Sequence, residues 1–298
     1  MLKIVKKRNW FFAFSLFLIV PGLVSLFLWG LNLGIDFTGG TLLELQFKRT
    51  ATQEEITQTG SRKNIEISTI QTTGENTYLL RTKPLDEEET KGLIEEFNQS
   101  FPGAKELRRE TIGPTIGREL LIKSLTALVV ASITIVLYIA WAFRSVPKPA
   151  SSWRFGATAI ITLLHDVLIL VGAFSILGHF LAVEVDSLFV TAALTVIGFS
   201  VHDTIVVFDR IRENLNRGQL KDFEETVEHS LMQTIGRSIN TSLTVVLVLL
   251  SLLLFGGASI RWFVVALLIG IISGTYSSIF NAAPLLVVWQ KFVERKNK

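Results

Sequence analysis

The sequence predicts an α-helical polytopic membrane protein with six transmembrane helices and one small α+β, ferredoxin-like domain outside the membrane. Three observations predict it. Six apolar runs are long enough to cross roughly 30 Å of hydrocarbon as helices, which satisfy their own backbone hydrogen bonds. The basic residues gather in four flanks that fall on one side of the membrane when the runs alternate. A single long polar stretch, 31–118, separates the first run from the second and reads as alternating strands and helices.

Bulk composition narrows the function classes. The 298 residues are 49% hydrophobic with a mean hydropathy of +0.46, so the apolar fraction is ordinary and its clustering is what matters. Twenty-nine basic against 26 acidic residues give a net charge of +3, too balanced to suggest nucleic acid. The absence of cysteine excludes disulfides, thiol chemistry and cysteine metal sites. The four histidines lack zinc-ligand spacing, so no metal is expected.

The first run extends from Trp10 to Trp29 behind Lys3, Lys6, Lys7 and Arg8. A cleaved leader would carry an apolar core of roughly 7–15 residues and a small-residue cleavage site. This run is longer and has tryptophan at both ends, as an uncleaved span with interfacial anchors would. Residues 1–30 are therefore read as a cytoplasmic N-terminus and first span.

In the polar stretch, Leu43, Leu45 and Phe47 alternate with Glu44 and Gln46, a strand signal. Thr52 and the acids after it open a short helix. Two strands follow near 66–72 and 77–82, with a turn at Gly74. Pro84 and Asp86 open a second helix that Pro102-Gly103 closes, and a last strand covers 105–112. The order β-α-β-β-α-β is that of a split βαβ unit.

The remaining runs lie near 121–143, 156–178, 187–208, 239–255 and 262–289, within 119–298. Arg144, Lys148 and Arg154 follow the second run. Arg210, Arg212, Arg217 and Lys221 occupy a loop at 209–237, and Lys291, Arg295, Lys296 and Lys298 end the chain. The opposite loops near 181–186 and 256–261 are poor in lysine and arginine, so both termini are expected in the cytoplasm.

A charge within a span is costly and marks function by default. Asp203 has only apolar and hydroxyl neighbours besides His202. Thr191, Thr195 and Asp203 are read as sharing a face, with Ser200 one turn before the acid. Desolvation disfavours the charged carboxylate and a nearby cation favours it, so a proton carrier is one reading. An acid reaching the cytoplasmic interface is the other. Arg237, Asn240, Thr241 and Thr244 form a polar stripe on the fifth run, which must face protein or water. A snorkelling arginine is the plainer alternative there. Thr158, Thr162, His165 and Asp166 make a similar stripe on the third run, either a second relay or a structural pair. His202 points about 100° away from Asp203 and reads as a tuning residue. Gly270, Gly274 and Ser278, beside Ser273, Ser277 and Asn281, read as a packing face, with a substrate path as the alternative.

Enzyme chemistry is unsupported. Gly198-Phe-Ser-Val lacks the last glycine of a nucleophile elbow, and neither a His-Glu-x-x-His pair nor a phosphate-binding loop is present. The chain is expected not to be an enzyme and to need no cofactor; an ion gradient would supply its energy, one charge across 100 mV being worth about 2.3 kcal/mol.

Four stretches carry a resemblance: Gly34-Ile-Asp-Phe-Thr-Gly-Gly40, Gly113-Pro-Thr-Ile-Gly-Arg-Glu-Leu120, Gly198 through Asn214 around Asp203, and Arg237-Ser-Ile-Asn-Thr-Ser242 with Phe255-Gly-Gly257. With these the chain resembles the SecD/SecF family of the resistance-nodulation-division superfamily over nearly its whole length. The resemblance implies a six-helix subunit paired with SecD that assists the SecYEG translocon, with YajC as a further associate. It implies that the proton-motive force pulls unfolded preprotein outward after the ATP-driven stage. The membrane would be the bacterial inner membrane, or the thylakoid membrane in a source that has one. The family's intramembrane Asp and Arg fall on Asp203 and Arg237. The family commonly has Asn before that Asp, where this chain has His202. Gly34, Asp36, Gly39, Gly40, Gly113 and Pro114 would be hinges between membrane and head, or ordinary connectors.

Two rivals follow. A small-molecule or lipid proton antiporter of the same superfamily would usually carry two six-helix repeats in one chain, and this chain has one. A scaffold subunit of the translocon would need its intramembrane charges only for assembly.

Overall fold

The computed structural model describes residues 3–147, 150–218, 220 and 222–296; Lys148, Lys221 and Lys298 of the basic flanks lie outside the described residues. Six helical stretches are long and apolar enough to cross a membrane: α1 (Arg8–Trp29, preceded by a short 3-10 turn), α5 (Pro114–Ala142), α6 (Ser152–Leu181), α7 (Ser187–Arg217), α8 (Phe223–Phe255) and a sixth, 261–296. The sixth consists of α9 (Arg261–Ser277), a π segment (Ser278–Ala282) and α10 (Ala283–Lys296). None of the most apolar stretch of α5 is buried, and large side chains such as Phe27, Leu137 and Phe255 are exposed. Apolar surface on this scale belongs against lipid or another protein.

The Cα positions fall into two compact units. One comprises Met1–Leu31, Ala127–Val183 and Leu188–Lys298; the other comprises Asn32–Thr126 and Glu184–Ser187.

The first unit is a helical bundle. Its core packs Phe143, Phe155 and Phe208, their rings tilted or edge-on to one another, with Ile139, Ile211 and Val287. Ile4 and Val5 are buried in the same core, and their backbone N–H groups donate to the Glu228 carboxylate at 2.8 Å each. Close packing is set by glycine where α9 crosses α7. A Cβ on Gly270 would lie 2.1 Å from Val196 Cγ2, and one on Gly274 would lie 3.0 Å from Ser200 Cβ. Valine is stiff at χ1 and cannot step aside. Gly270→Ala is therefore expected to destabilise the bundle by about 1–3 kcal/mol. Val196→Ala should restore most of that loss, as read from the thermal unfolding midpoint in detergent.

Two element ends differ from the sequence reading. The fifth run was expected over 239–255, but α8 begins at Phe223, and α7 continues to Arg217. The expected loop 209–237 is thus mostly helix, with Gly218, Leu220 and Asp222 as its described non-helical residues. Run length reports only the stretch that suits hydrocarbon. The helix continues as an amphipathic extension whose Phe223, Val227 and Leu231 are buried.

The second unit contains a short helix α2 (Ile35–Thr38), then β1 (Gly40–Gln46), α3 (Gln53–Ser61), β2 (Ile67–Gly74), β3 (Thr77–Thr82), α4 (Glu87–Ser100) and β4 (Lys105–Ile112). The sheet is antiparallel in the order β2-β3-β1-β4. On β1 and β3, Leu43 lies opposite Leu80 and Leu45 opposite Tyr78. Period-2 alternation sends these four to one face, where Ile56, Leu93 and Phe97 of the two helices cover them. Both helices start with reciprocal caps. Thr52 Oγ1 accepts from Glu55 N at 3.2 Å while Glu55 Oε2 accepts from Thr52 N at 2.9 Å. Asp86 and Glu89 repeat the arrangement on α4.

Candidate functional site

Asp166 of α6 is fully buried, and its carboxylate accepts four hydrogen bonds. Ser273 Oγ (2.9 Å) and His165 Nδ1 (2.9 Å) reach Oδ1; Ser200 Oγ (2.5 Å) and Ser277 Oγ (2.7 Å) reach Oδ2. Ser273 and Ser277 are one turn apart on α9, so one face delivers both hydroxyls. The Asn281 amide donates to His165 Nε2 at 3.1 Å and to Ser15 Oγ at 2.7 Å. Since Nε2 accepts, Nδ1 carries the proton and donates to Asp166. Asn281 reaches this position from the π segment, where a helix widens by one residue per turn.

Asp203 of α7 is nearly as buried, at 3% exposure, but it is poorly solvated. Thr275 Oγ1 donates to its Oδ2 at 3.4 Å, and among the described residues no other hydrogen bond to the carboxylate is this well formed. Thr275 and Ser242 Oγ are 2.5 Å apart and couple α9 to α8. These two hydroxyls also sit in an otherwise apolar cavity of about 330 Å³ walled by α8 and α9. The two buried carboxylates thus have opposite surroundings: one saturated with donors, the other served by the Thr275 hydroxyl at 3.4 Å with Ser242 behind it.

Each predicted residue has a definite place. Of the stripe on α6, His165 and Asp166 enter the network, Thr162 Oγ1 donates back to Thr158 O at 2.9 Å, and Thr158 Oγ1 has no partner among the described residues. Thr191 and Thr195 do not share the face of Asp203: they are exposed, and Ser200 and Asp203 point inward. The phase was misjudged, because Thr191 lies about 120° and Thr195 about 80° from Asp203 on an ideal helix. His202 is exposed.

The cation is not where proximity to Asp203 would require it. Arg237, Asn240 and Thr241 lie on the exposed face of α8, and the inward face carries Ser238 and Ser242. Arg237 lines an open polar cleft of about 310 Å³ with Asp209, Arg210, Glu213 and Gln233. Among the described residues it forms no ion pair or hydrogen bond. A stripe's periodicity says which residues share a face, and the neighbouring helices decide which way that face points.

The motif residues are structured. Gly34 N donates to Val185 O at 2.8 Å, and Asp36 accepts from Ser187 N at 2.9 Å. Gly39 has φ 73°, and a Cβ there would lie 2.8 Å from Pro114 Cα. Gly40 is also at positive φ, and Pro114 is the first residue of α5, after Gly113. The sequence reading does not identify Ser273, Ser277 and Thr275 as hydroxyl partners of the acids, Asn281 as the partner of His165, Ser242 as the partner of Thr275, or Arg81 and Glu184 near the motif. Hydroxyls at helical spacing on the sixth span were the available signal, but the stripe reads first as a packing face and second as a substrate path. Among the described residues no group of three His, Asp or Glu is arranged to hold a metal ion.

Residues 93–292 match the family described as protein export membrane protein SecD/SecF, C-terminal, and residues 24–51 match the SecD/SecF GG motif. The chain is 48% identical to the protein translocase subunit SecF of Thermobaculum terrenum, over 97% of this chain and 94% of that one. It is 37% identical to the protein translocase subunit SecDF of Bacillus subtilis, over 95% of this chain and 37% of that longer protein. The crystal structure of SecDF, a translocon-associated membrane protein from Thermus thermophilus, superposes with a TM-score of 0.86 at 34% identity, covering 96% of this chain and 38% of the other.

Proposed function

The chain belongs to the SecD/SecF family of protein-export membrane proteins, and from that premise we propose that it couples the proton-motive force to late, ATP-independent movement of preprotein through SecYEG. Asp203 is the proton carrier. The observation that carries this reading is the contrast between the two buried acids. Asp166 is held by four donors, whereas Asp203 is reached by Thr275 Oγ1 at 3.4 Å, and Thr275 with Ser242 lines a mostly apolar cavity. A carboxylate whose hydration is poorly replaced can exist without charge at low penalty, and it is the one placed to gain and lose a proton.

A partner completes the machine. Arg237, Asn240 and Thr241 form a polar face pointing away from this chain's own bundle. Such a face is costly against hydrocarbon and is satisfied by a second protein or by water. SecD is that partner in our reading, and the Bacillus subtilis relative, in which the matching region is part of a longer SecDF chain, supports it. The sheet unit is a ferredoxin-like head on the extracytoplasmic side of the inner membrane, both termini are cytoplasmic, and unfolded preprotein is the substrate. The chain acts as a transducer, without enzymatic chemistry or a cofactor.

The test is reconstitution in vesicles with SecD and SecYEG, comparing preprotein export with the gradient intact and collapsed by an ionophore. Export should be accelerated severalfold by the pair only when the gradient is present. Equal acceleration in both conditions would leave a scaffold role instead. Substrate-stimulated proton flux without SecD would favour the antiporter.

A further inference from the structure

Arg81 is a buried charge that the proton site does not use. It projects from β3 with 12% of its side chain exposed, pairs with Glu184, and donates from Nη1 to Leu33 O at 3.1 Å. Burial pushes its guanidinium down to about 10, with the charge of Asp36 opposing the shift, so it remains a cation at working pH. Glu184 lies in the short connection between α6 and α7. That connection is held along its length: Gly34 N donates to Val185 O and Val185 N to Asn32 O, each at 2.8 Å, and Leu33 bridges Val185 in parallel.

The connection ends at Ser187, the first residue of α7. Asp36 Oδ2 accepts from Ser187 N at 2.9 Å and also from the Ser187 hydroxyl. A helix start carries orphan N–H donors and the positive end of the dipole, and a carboxylate satisfies both. Here the cap comes from 151 residues earlier in the chain, within the glycine motif. From Ser187 to Asp203, α7 runs without a break for about 24 Å.

We propose that Asp36 and Arg81 are positioning residues that grip the start of α7, so that any shift of the helix bearing Asp203 is delivered to the segment leading into the sheet. Asp36 grips by capping and Arg81 by clamping Glu184. This rests on Asp203 being the carrier. The glycine motif is then a fixed joint, with Gly39 at positive φ permitting the close approach to Pro114 that the joint needs.

The test uses the full complex and reads two things: hydrogen exchange at the first amides of α7, and the ratio of export with and without the gradient. Asp36→Leu should raise exchange there by about tenfold and bring the ratio close to one, with the ATP-driven stage unchanged. Asp36→Asn keeps a capping oxygen and should preserve both readouts. Unchanged exchange in Asp36→Leu, or an unchanged ratio, overturns the proposal. Should that variant not assemble, the double neutral Arg81→Met with Glu184→Gln leaves no unpaired charge and should still lose the ratio; a wild-type ratio there overturns the clamp. Asp203→Asn serves as the control in the same assay. If it retains the gradient response, the carrier reading fails, while the exchange result for Asp36 stands or falls by itself.

Discussion

Asp203→Asn is expected to abolish the gradient-dependent part of export while leaving the bundle folded and paired. Asparagine keeps the shape of the side chain and can still accept from Thr275 Oγ1. It removes a buried charge that has few compensating donors, so stability should hold or rise. What it removes is the ability to carry a proton. One charge moved across 100 mV is worth about 2.3 kcal/mol, which corresponds to a rate ratio of at most about 50-fold per proton. The quantity to measure is the ratio of export rates with and without the gradient, together with its pH profile. The variant should give a ratio near one and a flat profile. A wild-type ratio would remove Asp203 from the mechanism.

Asp166→Ala should do the reverse and damage the fold. It deletes the acceptor of Ser200, Ser273, Ser277 and His165 at a site with no exposure; Ser277 Oγ still has Gly274 O at 3.1 Å, and the other three donors lose the acid. Each buried unsatisfied group costs about 1–3 kcal/mol, and partial rearrangement of the hydroxyls brings the total to about 3–5 kcal/mol. That approaches the whole stability of a typical domain. Asp166→Asn should fall between, because its oxygen still accepts and serine hydroxyls can turn to accept from its amide. Thermal unfolding in detergent and protease resistance in membranes report the loss. If Asp166→Asn instead keeps full stability and loses the gradient response, the two acids have their roles exchanged.

Signals contained within one short segment were legible in the sequence. The caps Thr52 with Glu55 and Asp86 with Glu89 lie three residues apart, so the starts of α3 and α4 could be placed from spacing alone. Acids inside apolar runs singled out Asp166 and Asp203, because the membrane makes such residues expensive wherever they sit. What depends on the rotation of one helix against another was not legible. Nothing in the run from Arg261 to Lys296 says that Ser273 and Ser277 turn toward α6, nor does the stripe on α8 reveal that Arg237 turns outward. The start of α8 escapes the sequence for a different reason: an amphipathic extension is held by packing of Phe223 and Val227, to which a hydropathy window is blind.

The π segment at Ser278–Ala282 has a consequence for how the sixth span tolerates change in length. Upstream, α9 has its azimuth dictated by Ser273 and Ser277 on Asp166. Downstream, α10 has its own dictated by Gln290 meeting Arg154 and Lys291 meeting Glu224. The two demands are out of step, and the wide turn between them works as a phase adjuster that absorbs the mismatch. Deleting one residue within it would convert the turn to ordinary helix and leave both halves in phase, because a turn that holds one extra residue still makes one turn. The acid on one side and the Gln290 and Lys291 pairs on the other would keep their ligands, so loss of one residue should be tolerated here and not in the plain helix on either side, where it swings one half by about 100°.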